Sequence, residues 1–366
     1  MKRQSVDRVF LGIIITLAVI GVFVFLSASM GVLAKNPSKF YSILINQLVF
    51  GLGLGAIAMY AAYRINYKFL RKYAFWFLIG SIGLTLLVFV PGLGFRHGGA
   101  LRWVTFGFIS FQPVEFLKIG FLIYFASWLS WVKNKVENFK YGILPFVILL
   151  GLIAFILFKQ PDTKSFILIF IAAIAMFLLT GISWRRILWI CLGVAILLGG
   201  LIFTQPYLMD RIKTFFDPSK DPTGSSYQIQ QSLIAIGSGG TFGRGFGQSV
   251  QKFNYLPEPQ GDSIFAVIGE EFGFVGSAII VLLYLIFAWR GLRIATLAPD
   301  IFGRLLASGI VIMISAQAFL NIASIIAVFP LTGVPLPLIS HGGTSLFMTL
   351  AALGIVLNIS KFCKKT

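Results

Sequence analysis

The chain has 366 residues, of which 58% are hydrophobic and only 11% are charged. Soluble domains carry about 25% charged residues, so this composition excludes an ordinary soluble enzyme and indicates an integral membrane protein. The net charge is +18, but no long basic run alternates with aromatic residues, so the chain is not expected to bind nucleic acid.

Ten stretches are apolar and long enough to cross a bilayer, since about twenty apolar residues span its hydrocarbon core as a helix. They comprise roughly residues 9–33, 43–63, 73–92, 113–132, 142–158, 165–183, 186–204, 263–289, 303–329 and 342–360. The fifth and sixth are separated only by the segment from Lys159 to Lys164, which contains Pro161. We therefore predict an all-α polytopic membrane protein with ten transmembrane helices, forming a single domain over residues 1–366.

The distribution of Lys and Arg predicts the orientation of these spans. If the N-terminus is cytoplasmic, the short inner segments contain far more basic residues than the short outer segments do. Because basic residues collect in cytoplasmic loops, both termini are predicted to be cytoplasmic. The long segment 205–261, between the seventh and eighth spans, is then extracytoplasmic.

The first candidate functional residues flank the start of the fourth span. Arg102 and Trp103, in GGALRWVTFG, lie just outside the third span. A guanidinium suits pyrophosphate because its planar fork makes two parallel bonds, whereas a Trp at this depth is ordinarily an interfacial anchor.

Glu115 and Lys118, in FQPVEFLKIGF, share one face of the fourth helix. Charges at this depth are costly unless they pair or face water, so these two form either a structural ion pair or a polar wall of a substrate cavity.

A second polar group separates the fifth and sixth spans. Gln160, Pro161 and Asp162 are followed there by Thr163 and Lys164. The carboxylate of Asp162 and the amine of Lys164 are either a solvated pair in a short loop or part of a functional site. Their spacing does not distinguish these alternatives.

The outer segment 205–261 contains two local patterns. Residues from Tyr227 to Ile236 place Ile229, Leu233 and Ile236 on one helical face, which predicts a short amphipathic helix lying along the membrane surface. The sequence GSGGTFGRGFG follows, and its glycines permit tight backbone turns. Arg244 lies within this glycine-rich sequence and adds an outward-facing cation.

Asp262 lies at the start of the eighth span. It follows Pro257, Pro259 and Gly261, which end the preceding segment, and it precedes the apolar sequence SIFAVIG. An aspartate here is either a helix N-cap, which accepts backbone N–H bonds, or a functional carboxylate, since a charge at a membrane boundary is costly to hold without water. The spacing alone supports both interpretations equally.

The eighth and tenth spans carry the remaining polar groups. Glu270 and Glu271 are adjacent within the eighth span, so at least one is expected to face the interior or to pair with a base from another helix.

The sequence VPLPLISHGGTS, from Val334 to Ser345, enters the tenth span. Its prolines and glycines indicate irregular backbone that borders protein or water, and the glycines allow close approach of a ligand or a helix.

Several of these sequences resemble the SEDS family of cell-wall polymerases, which includes FtsW, RodA and SpoVE. They are GTFGRGFGQSVQKFNYLPEP before Asp262, IFAVIGEEFGFVG after it, FQPVE with Lys118, QPD, and PLPLISHGGTS. The sequence SVQKFNYLPEP is more similar to the FtsW branch than to RodA. The chain departs from the family pattern in PQGDS where HTD is usual, in Thr163 and Lys164 after QPD where Leu-Gly is usual, and in His341 where Tyr is usual.

The resemblance implies a peptidoglycan glycosyltransferase that joins lipid II units in an inverting reaction and releases undecaprenyl pyrophosphate. Asp262 aligns with the carboxylate that the family requires for activity and is the candidate general base. The candidates for stabilising pyrophosphate are Arg102, Lys118 and Arg244, in that order, and a divalent cation (Mg²⁺ or Mn²⁺) could share this role. No covalently bound cofactor is expected. The other candidate substrate-binding residues are Glu115, Gln160, Ser340, His341, Gly342 and Gly343.

The resemblance also implies a location and partners. The family acts in the bacterial cytoplasmic membrane with a class B penicillin-binding protein transpeptidase, and FtsW acts with other divisome proteins. We therefore expect septal wall synthesis in cell division, with the active site on the extracytoplasmic side. The alternatives are a lipid II flippase, a RodA-like polymerase for cell elongation, and a scaffold that only recruits a transpeptidase. The absence of paired broken helices in corresponding halves of the sequence argues against a transporter.

Overall fold

The computed structural model describes residues 6–97, 100–106, 109–132, 135–217 and 225–363, which are mostly helical. The helices of this part of the chain are α1 Arg8–Lys35, α2 Pro37–Arg64, α3 Tyr67–Lys72, α4 Ala74–Phe89, α5 Pro113–Val132, α6 Phe139–Lys159, α7 Thr163–Leu178, α8 Trp184–Thr204, α9 Pro206–Phe216, α10 Ser225–Ser238, α11 Gln251–Asn254, α12 Ile264–Thr296, α13 Ile301–Ile325 and α14 Gly343–Ser360. Three strands, β1 Gly94–His97, β2 Ala100–Phe106 and β3 Ile109–Phe111, lie between α4 and α5.

Eight of the described helices are long and apolar enough to cross a membrane. They are α1, α2, α5, α6, α8, α12, α13 and α14. The shorter apolar helices α4 and α7 occupy the positions of the third and sixth predicted spans. The architecture is therefore the helical, polytopic one that the composition predicts.

The boundary between α6 and α7 is a reversal of the chain. The rings of Phe158 and Phe166 are in contact, with their centroids 5.0 Å apart. Eight residues of continuous helix would advance about 12 Å, so the chain turns back between them. The turn begins where the N–H of Gln160 donates to the carbonyl of Leu157 at 3.1 Å. The short break around Pro161 thus separates two helices, as the sequence predicts.

The antiparallel sheet corrects the all-α prediction. Its strand order is β1–β2–β3, and Val104 of the central strand pairs with Gly94 on one side and with Phe111 on the other. The sheet lies in the connection between the third and fourth predicted spans, and Arg102 lies on its central strand. Short strands give a weaker sequence signal than long apolar helices do, so counting spans did not detect them.

The helix that follows Asp262, α12, is broken at Gly273, which has a left-handed backbone with φ of 65°. The glycine-rich segment packs against this break. The N–H groups of Arg244 and Gly245 donate to the carbonyls of Glu270 and Glu271, both at 3.0 Å. A side chain at Gly273 would overlap the glycine-rich backbone. The tight turns predicted for this sequence thus supply hydrogen bonds that the broken helix cannot make for itself.

The amphipathic helix predicted for the outer segment is present as α10, which packs against α12. Ile229 is buried in this helix, whereas Leu233 is exposed. Residues 218–224, which precede α10, lie outside the described residues. The buried part of the predicted apolar face therefore packs on protein.

The central helix is α13, because 78% of its apolar stretch is buried inside the protein. The corresponding fraction for the peripheral helix α8 is 11%. Two amides on α13, one turn apart, bind the loop that leads into α14. Gln317 Nε2 donates to the carbonyl of Pro335 at 3.0 Å, and Asn321 Nδ2 donates to that of Val334 at 2.7 Å. Helix α13 therefore fixes the irregular backbone that the PLPLISHGG sequence predicts.

Candidate active site

The backbone around Asp262 is held by groups from distant parts of the chain. Asn321 Nδ2 donates to the carbonyl of Asp262 at 2.8 Å. Ser340 Oγ donates at 2.8 Å to the carbonyl of the residue before Asp262. The N–H of His341 donates to the carbonyl of Gln260 at 2.7 Å. Three consecutive carbonyls are thus fixed, so α13 and the loop before α14 determine where Asp262 lies.

The carboxylate of Asp262 does not cap α12. Ser263 occupies the N-cap position, and within the described residues no side chain caps this helix end. Asp262 is partly exposed, whereas both of its neighbours are buried. This geometry favours a functional carboxylate over the helix-cap alternative.

Two cations that sequence reasoning did not select lie beside Asp262: Lys164 at the start of α7, and Arg211 on α9. Lys164 Nζ donates to the carbonyl of Gly333, and Arg211 Nη1 donates to that of Thr332 at 3.1 Å. The position that a Cβ would take on Gly333 is 3.1 Å from Asp262 Oδ2. It is also 3.6 Å from Arg211 Nη2 and 3.9 Å from Lys164 Nζ. The three charged groups therefore surround Gly333, where φ is 64° and a side chain would intrude.

Arg211 and Arg102 belong to the same electrostatic group. Burial lowers the pKa of the Arg211 guanidinium, Tyr207 and Asp262 raise this pKa, and the positive charge of Arg102 lowers it. An arginine stays protonated near neutral pH, so the two guanidinium groups repel each other. A bound anion would relieve this repulsion and accept charge-assisted hydrogen bonds.

Arg102 is oriented by the turn between α6 and α7. Its Nε donates to the carbonyl of Gln160 at 3.3 Å, and its Nη2 donates to that of Pro161. The side chain of Gln160 is only 1% exposed, and its Nε2 donates to the carbonyl of Thr85 at 2.8 Å. Gln160 therefore supports the turn that orients Arg102, and its amide is not open to a ligand.

The solvated-pair interpretation of Asp162 and Lys164 is wrong. Asp162 is fully buried, and its Oδ2 accepts a hydrogen bond from Ser165 Oγ at 2.8 Å. Its other oxygen has no hydrogen-bond partner within the described residues. Lys164 Nζ donates instead to the carbonyl of Gly333, so Asp162 and Lys164 have different hydrogen-bond partners.

Glu115 and Lys118 form a buried ion pair with each other. Lys118 Nζ is 2.7 Å from Glu115 Oε2, and neither side chain is more than 8% exposed. Lys118 Nζ also donates to Gln317 Oε1 at 3.4 Å. The pair is thus connected to the amide of α13 that holds the loop before α14, which favours the structural alternative.

We expect Glu115 and Lys118 to be energetically coupled. Lys118→Met leaves a buried carboxylate unmatched, and Glu115→Gln leaves a buried ammonium unmatched, so each should lower the melting temperature. The double variant should recover part of the loss, with a coupling energy of about 0.5–3 kcal/mol. Thermal unfolding of the four purified proteins measures this energy. Strictly additive losses would contradict the pair and would favour a Lys118 that faces substrate.

Glu270 and Glu271 are both buried and paired, as at least one was expected to be, and the cations that pair with them come from the outer segment. Lys252 Nζ is 2.7 Å from Glu271 Oε1, with both side chains fully buried. Ser249 Oγ donates to Glu270 Oε2 at 2.5 Å, and Arg244 Nη1 lies 3.7 Å from Glu270 Oε1. Arg244 therefore contacts this buried cluster, where it neighbours Glu270 and not Asp262.

The glycines of the PLPLISHGG sequence serve helix packing. The N–H of Gly342 donates to Gln47 Oε1 at 2.9 Å, and a Cβ on Gly343 would overlap the side chain of Asn46. Both contacts are to α2. The ring of His341 stacks on an aromatic ring of α1, with centroids 6.0 Å apart. Of the two alternatives that the sequence left open for these glycines, the structure shows close approach of a helix.

The residues near Asp262 do not form a metal site by themselves. Among the described residues, no three His, Cys, Asp or Glu side chains converge. Lys164 and Arg211 already bring positive charge to the carboxylate. A divalent cation at this place stays an untested prediction.

Sequence reasoning missed Lys164 and Arg211 for different reasons. Lys164 was considered only together with Asp162, as a solvated loop pair or part of a functional site, and its spacing did not connect it with Asp262. Arg211 is one of several charged residues in a polar segment, and no local pattern distinguishes it. Only the packing of α7 and α9 near Gly333 shows that both lie beside Asp262.

Comparisons with known proteins identify the family of this chain. A family model described as cell cycle protein, for FtsW, RodA and SpoVE, matches residues 7–365. The stage V sporulation protein E of Bacillus subtilis is 37% identical over 99% of this chain and 99% of its own length. A probable peptidoglycan glycosyltransferase FtsW of Geobacter metallireducens is 39% identical over 99% of this chain and 96% of its own length.

Two solved structures share the fold. A chain from a peptidoglycan synthase complex, described as coordinating polymerization and crosslinking, has a TM-score of 0.78 and 27% identity, and covers 97% of each chain. The rod shape determining protein RodA of Thermus thermophilus has a TM-score of 0.69 and 26% identity, and covers 99% of this chain and 98% of its own.

Proposed function

Since the chain belongs to the FtsW, RodA and SpoVE family and is a peptidoglycan glycosyltransferase, we propose that it polymerises lipid II and releases undecaprenyl pyrophosphate. The observation that carries this proposal is the arrangement of Asp262, Lys164 and Arg211 around Gly333. Transfer of a sugar from a diphosphate to a hydroxyl needs a base and a group of cations, and this arrangement supplies both.

In the proposed reaction, the 4-hydroxyl of one lipid II attacks the anomeric carbon that joins the growing strand to its diphosphate. Asp262 accepts the hydroxyl proton as the new carbon–oxygen bond forms. The bond from the anomeric carbon to the phosphate oxygen breaks, and the diphosphate leaves with the bonding electrons. Lys164, Arg211 and Arg102 provide the positive charge that stabilises it. A single displacement inverts the anomeric centre and needs only one carboxylate base.

The proposed role is septal wall synthesis in the bacterial cytoplasmic membrane. The sequence SVQKFNYLPEP favours this role over elongation, and the likeness to a chain of a peptidoglycan synthase complex supports a class B penicillin-binding protein as partner. Other divisome proteins would join that complex. A partner test separates septal from RodA-like activity: the divisome transpeptidase should stimulate polymerisation more than the elongation transpeptidase does.

The direct test is polymerisation of purified lipid II by the purified protein. We expect glycan strands to appear together with one undecaprenyl pyrophosphate for each bond formed. The same protein reconstituted in liposomes measures lipid II translocation. Translocation without strand formation would overturn the proposal in favour of a flippase, and neither activity would leave a scaffold.

The proposal requires Asp262 to face the extracytoplasmic side, with ten spans and both termini in the cytoplasm. In a Cys191→Ala/Cys363→Ala background, we expect Gln248→Cys to react with an impermeant thiol reagent added outside, because Gln248 is exposed in the outer segment. Ser183→Cys, beside the basic pair that follows α7, should react only after permeabilisation. Labelling of intact cells measures both. The reverse pattern would overturn the topology.

A further inference from the structure

Tyr207, in the first turn of α9, binds the turn between α6 and α7. Its Oη is 2.9 Å from Thr163 Oγ1, and either oxygen can be the donor. The same hydroxyl donates to the carbonyl of Pro161 at 3.4 Å. Both bonds form together when Thr163 donates to Tyr207 and Tyr207 donates to Pro161, since a phenol both donates and accepts. One side chain thus attaches α9 to this turn and to the first residue of α7.

The groups that Tyr207 binds also place two cations of the candidate active site. The carbonyl of Pro161 accepts a hydrogen bond from Arg102 Nη2 as well as from the Tyr207 hydroxyl. Thr163 directly precedes Lys164, whose Nζ bonds the loop before α14. Tyr207 therefore contacts the carbonyl that orients Arg102 of β2 and the chain neighbour of Lys164 of α7.

Arg211 is the third cation, and Tyr207 contacts it directly. The two residues are four positions apart, so they share one face of α9. Arg211 Cζ lies over the Tyr207 ring, 5.9 Å from its centre. A guanidinium at this distance is attracted to the face of an aromatic ring. Tyr207 is thus in contact with elements that place all three cations, which come from β2, α7 and α9.

The spacing of these cations has to be imposed by the protein, because like charges repel. Arg211 Nη2 and Lys164 Nζ both lie within 3.9 Å of the position that a Cβ would take on Gly333. The charge of Arg102 also acts on Arg211. A carboxylate could hold the cations together, but it would cancel the charge that an anionic ligand requires. The neutral hydroxyl and ring of Tyr207 fix their positions and leave their charge available.

We propose that Tyr207 is a positioning residue that fixes the spacing of the three cations, and that this spacing selects a diphosphate over a single phosphate. The proposal rests on the proposed function, in which the leaving group is a diphosphate. Two phosphoryl groups can pair at the same time with cations from different elements. A single phosphate needs only Lys164 and Arg211, whose bonds to the carbonyls of Gly333 and Thr332 do not involve Tyr207.

The first test compares binding of inorganic pyrophosphate and inorganic phosphate to the purified protein at constant ionic strength. The parent should bind pyrophosphate more tightly. Tyr207→Phe removes the hydroxyl and keeps the ring over Arg211. It should bind pyrophosphate about three- to tenfold more weakly, as expected for the loss of one or two hydrogen bonds, and phosphate less than about twofold more weakly. Tyr41→Phe is the control, because Tyr41 is 61% exposed near the start of α2, and it should bind both anions like the parent.

Thr163→Val tests whether the Tyr207 hydroxyl acts through its partner. It removes the second hydroxyl at similar shape and should also weaken pyrophosphate binding. The double variant Tyr207→Phe/Thr163→Val should lose less than the product of the two single factors, because both changes remove the same bond. Multiplicative losses would show that the Tyr207 hydroxyl contacts the ligand itself, and they would overturn the positioning role.

The ratio of the two dissociation constants separates selectivity from a general loss of folded protein. Tyr207 and Thr163 are only partly buried, so their variants should melt with the parent. The ratio does not depend on how much of each protein is folded, so it remains informative if a variant melts lower. A parent without preference for pyrophosphate, or a Tyr207→Phe variant with the parent's ratio, would overturn the proposal.

Polymerisation assays distinguish failure of this proposal from failure of the proposed function. Tyr207→Phe should lower kcat about three- to tenfold and change KM for lipid II less, because the charge on the leaving diphosphate is greatest in the transition state. If the parent forms strands and Tyr207→Phe has the parent's kcat, the positioning role alone is contradicted. A parent that prefers pyrophosphate but forms no strands would contradict the polymerase function and leave Tyr207 as part of a diphosphate site.

Discussion

Asp262→Asn is expected to remain folded and inserted but to lose glycan polymerisation by about 10²–10⁴-fold, the usual contribution of a general base. The amide keeps the size of the side chain and cannot accept the hydroxyl proton. Strand formation from purified lipid II measures the loss, and thermal unfolding measures folding. The melting temperature should change little, because Asp262 is partly exposed and its carboxylate bonds no backbone N–H at the start of α12.

The choice of Asn makes the two interpretations of Asp262 separable. Asn caps helices about as well as Asp, so a capping residue would tolerate Asp262→Asn with full activity. Asp210→Asn is the matched control, since Asp210 is an exposed carboxylate of the outer segment and this variant should polymerise at the parent rate. Parent-like polymerisation by Asp262→Asn would show that another group takes the proton.

The apolar spans and the backbone near Asp262 could be read from the sequence because their signals are local. A run of about twenty apolar residues is sufficient to predict a helix in a membrane. Pro257, Pro259 and Gly261 end one segment directly before the carboxylate. The sheet was missed because strands in a short connection depend on pairing between distant residues. The break at Gly273 was missed for a related reason. The broken helix depends on hydrogen bonds from the glycine-rich segment, which belongs to a different part of the sequence.

The candidate site was only partly predictable, because it combines residues whose proximity the sequence does not encode. The prediction included Asp262 and Arg102, and both lie in one electrostatic group with Arg211. Lys118 lies beside Glu115 in the ion pair that was one of its two predicted alternatives, and Arg244, selected for its charge, lies beside the buried Glu270. A basic residue near the membrane surface looks the same in sequence whether it balances a buried carboxylate or faces an anionic substrate.

Lys252→Met is expected to destabilise the protein by about 3–5 kcal/mol, because it leaves the buried carboxylate of Glu271 without its cation. Lys252 Nζ is 2.7 Å from Glu271 Oε1, 2.9 Å from Ser27 Oγ and 2.8 Å from the carbonyl of Gly247. One ammonium thus joins α1, the glycine-rich segment and α12. Thermal unfolding of the purified variant measures the loss.

The double variant Lys252→Met/Glu271→Gln determines whether the loss comes from an unmatched charge. It removes both charges, so it should be more stable than Lys252→Met alone. Lys213→Met is the control for loss of an exposed lysine and should melt with the parent, since its ammonium is solvated. Because the cluster anchors the segment that leads to Asp262, polymerisation by Lys252→Met should fall even at temperatures where the protein remains folded. A Lys252→Met protein with the parent's melting temperature would show that Glu271 is held neutral, and that the hydroxyl of Ser27 and the backbone suffice to bind it.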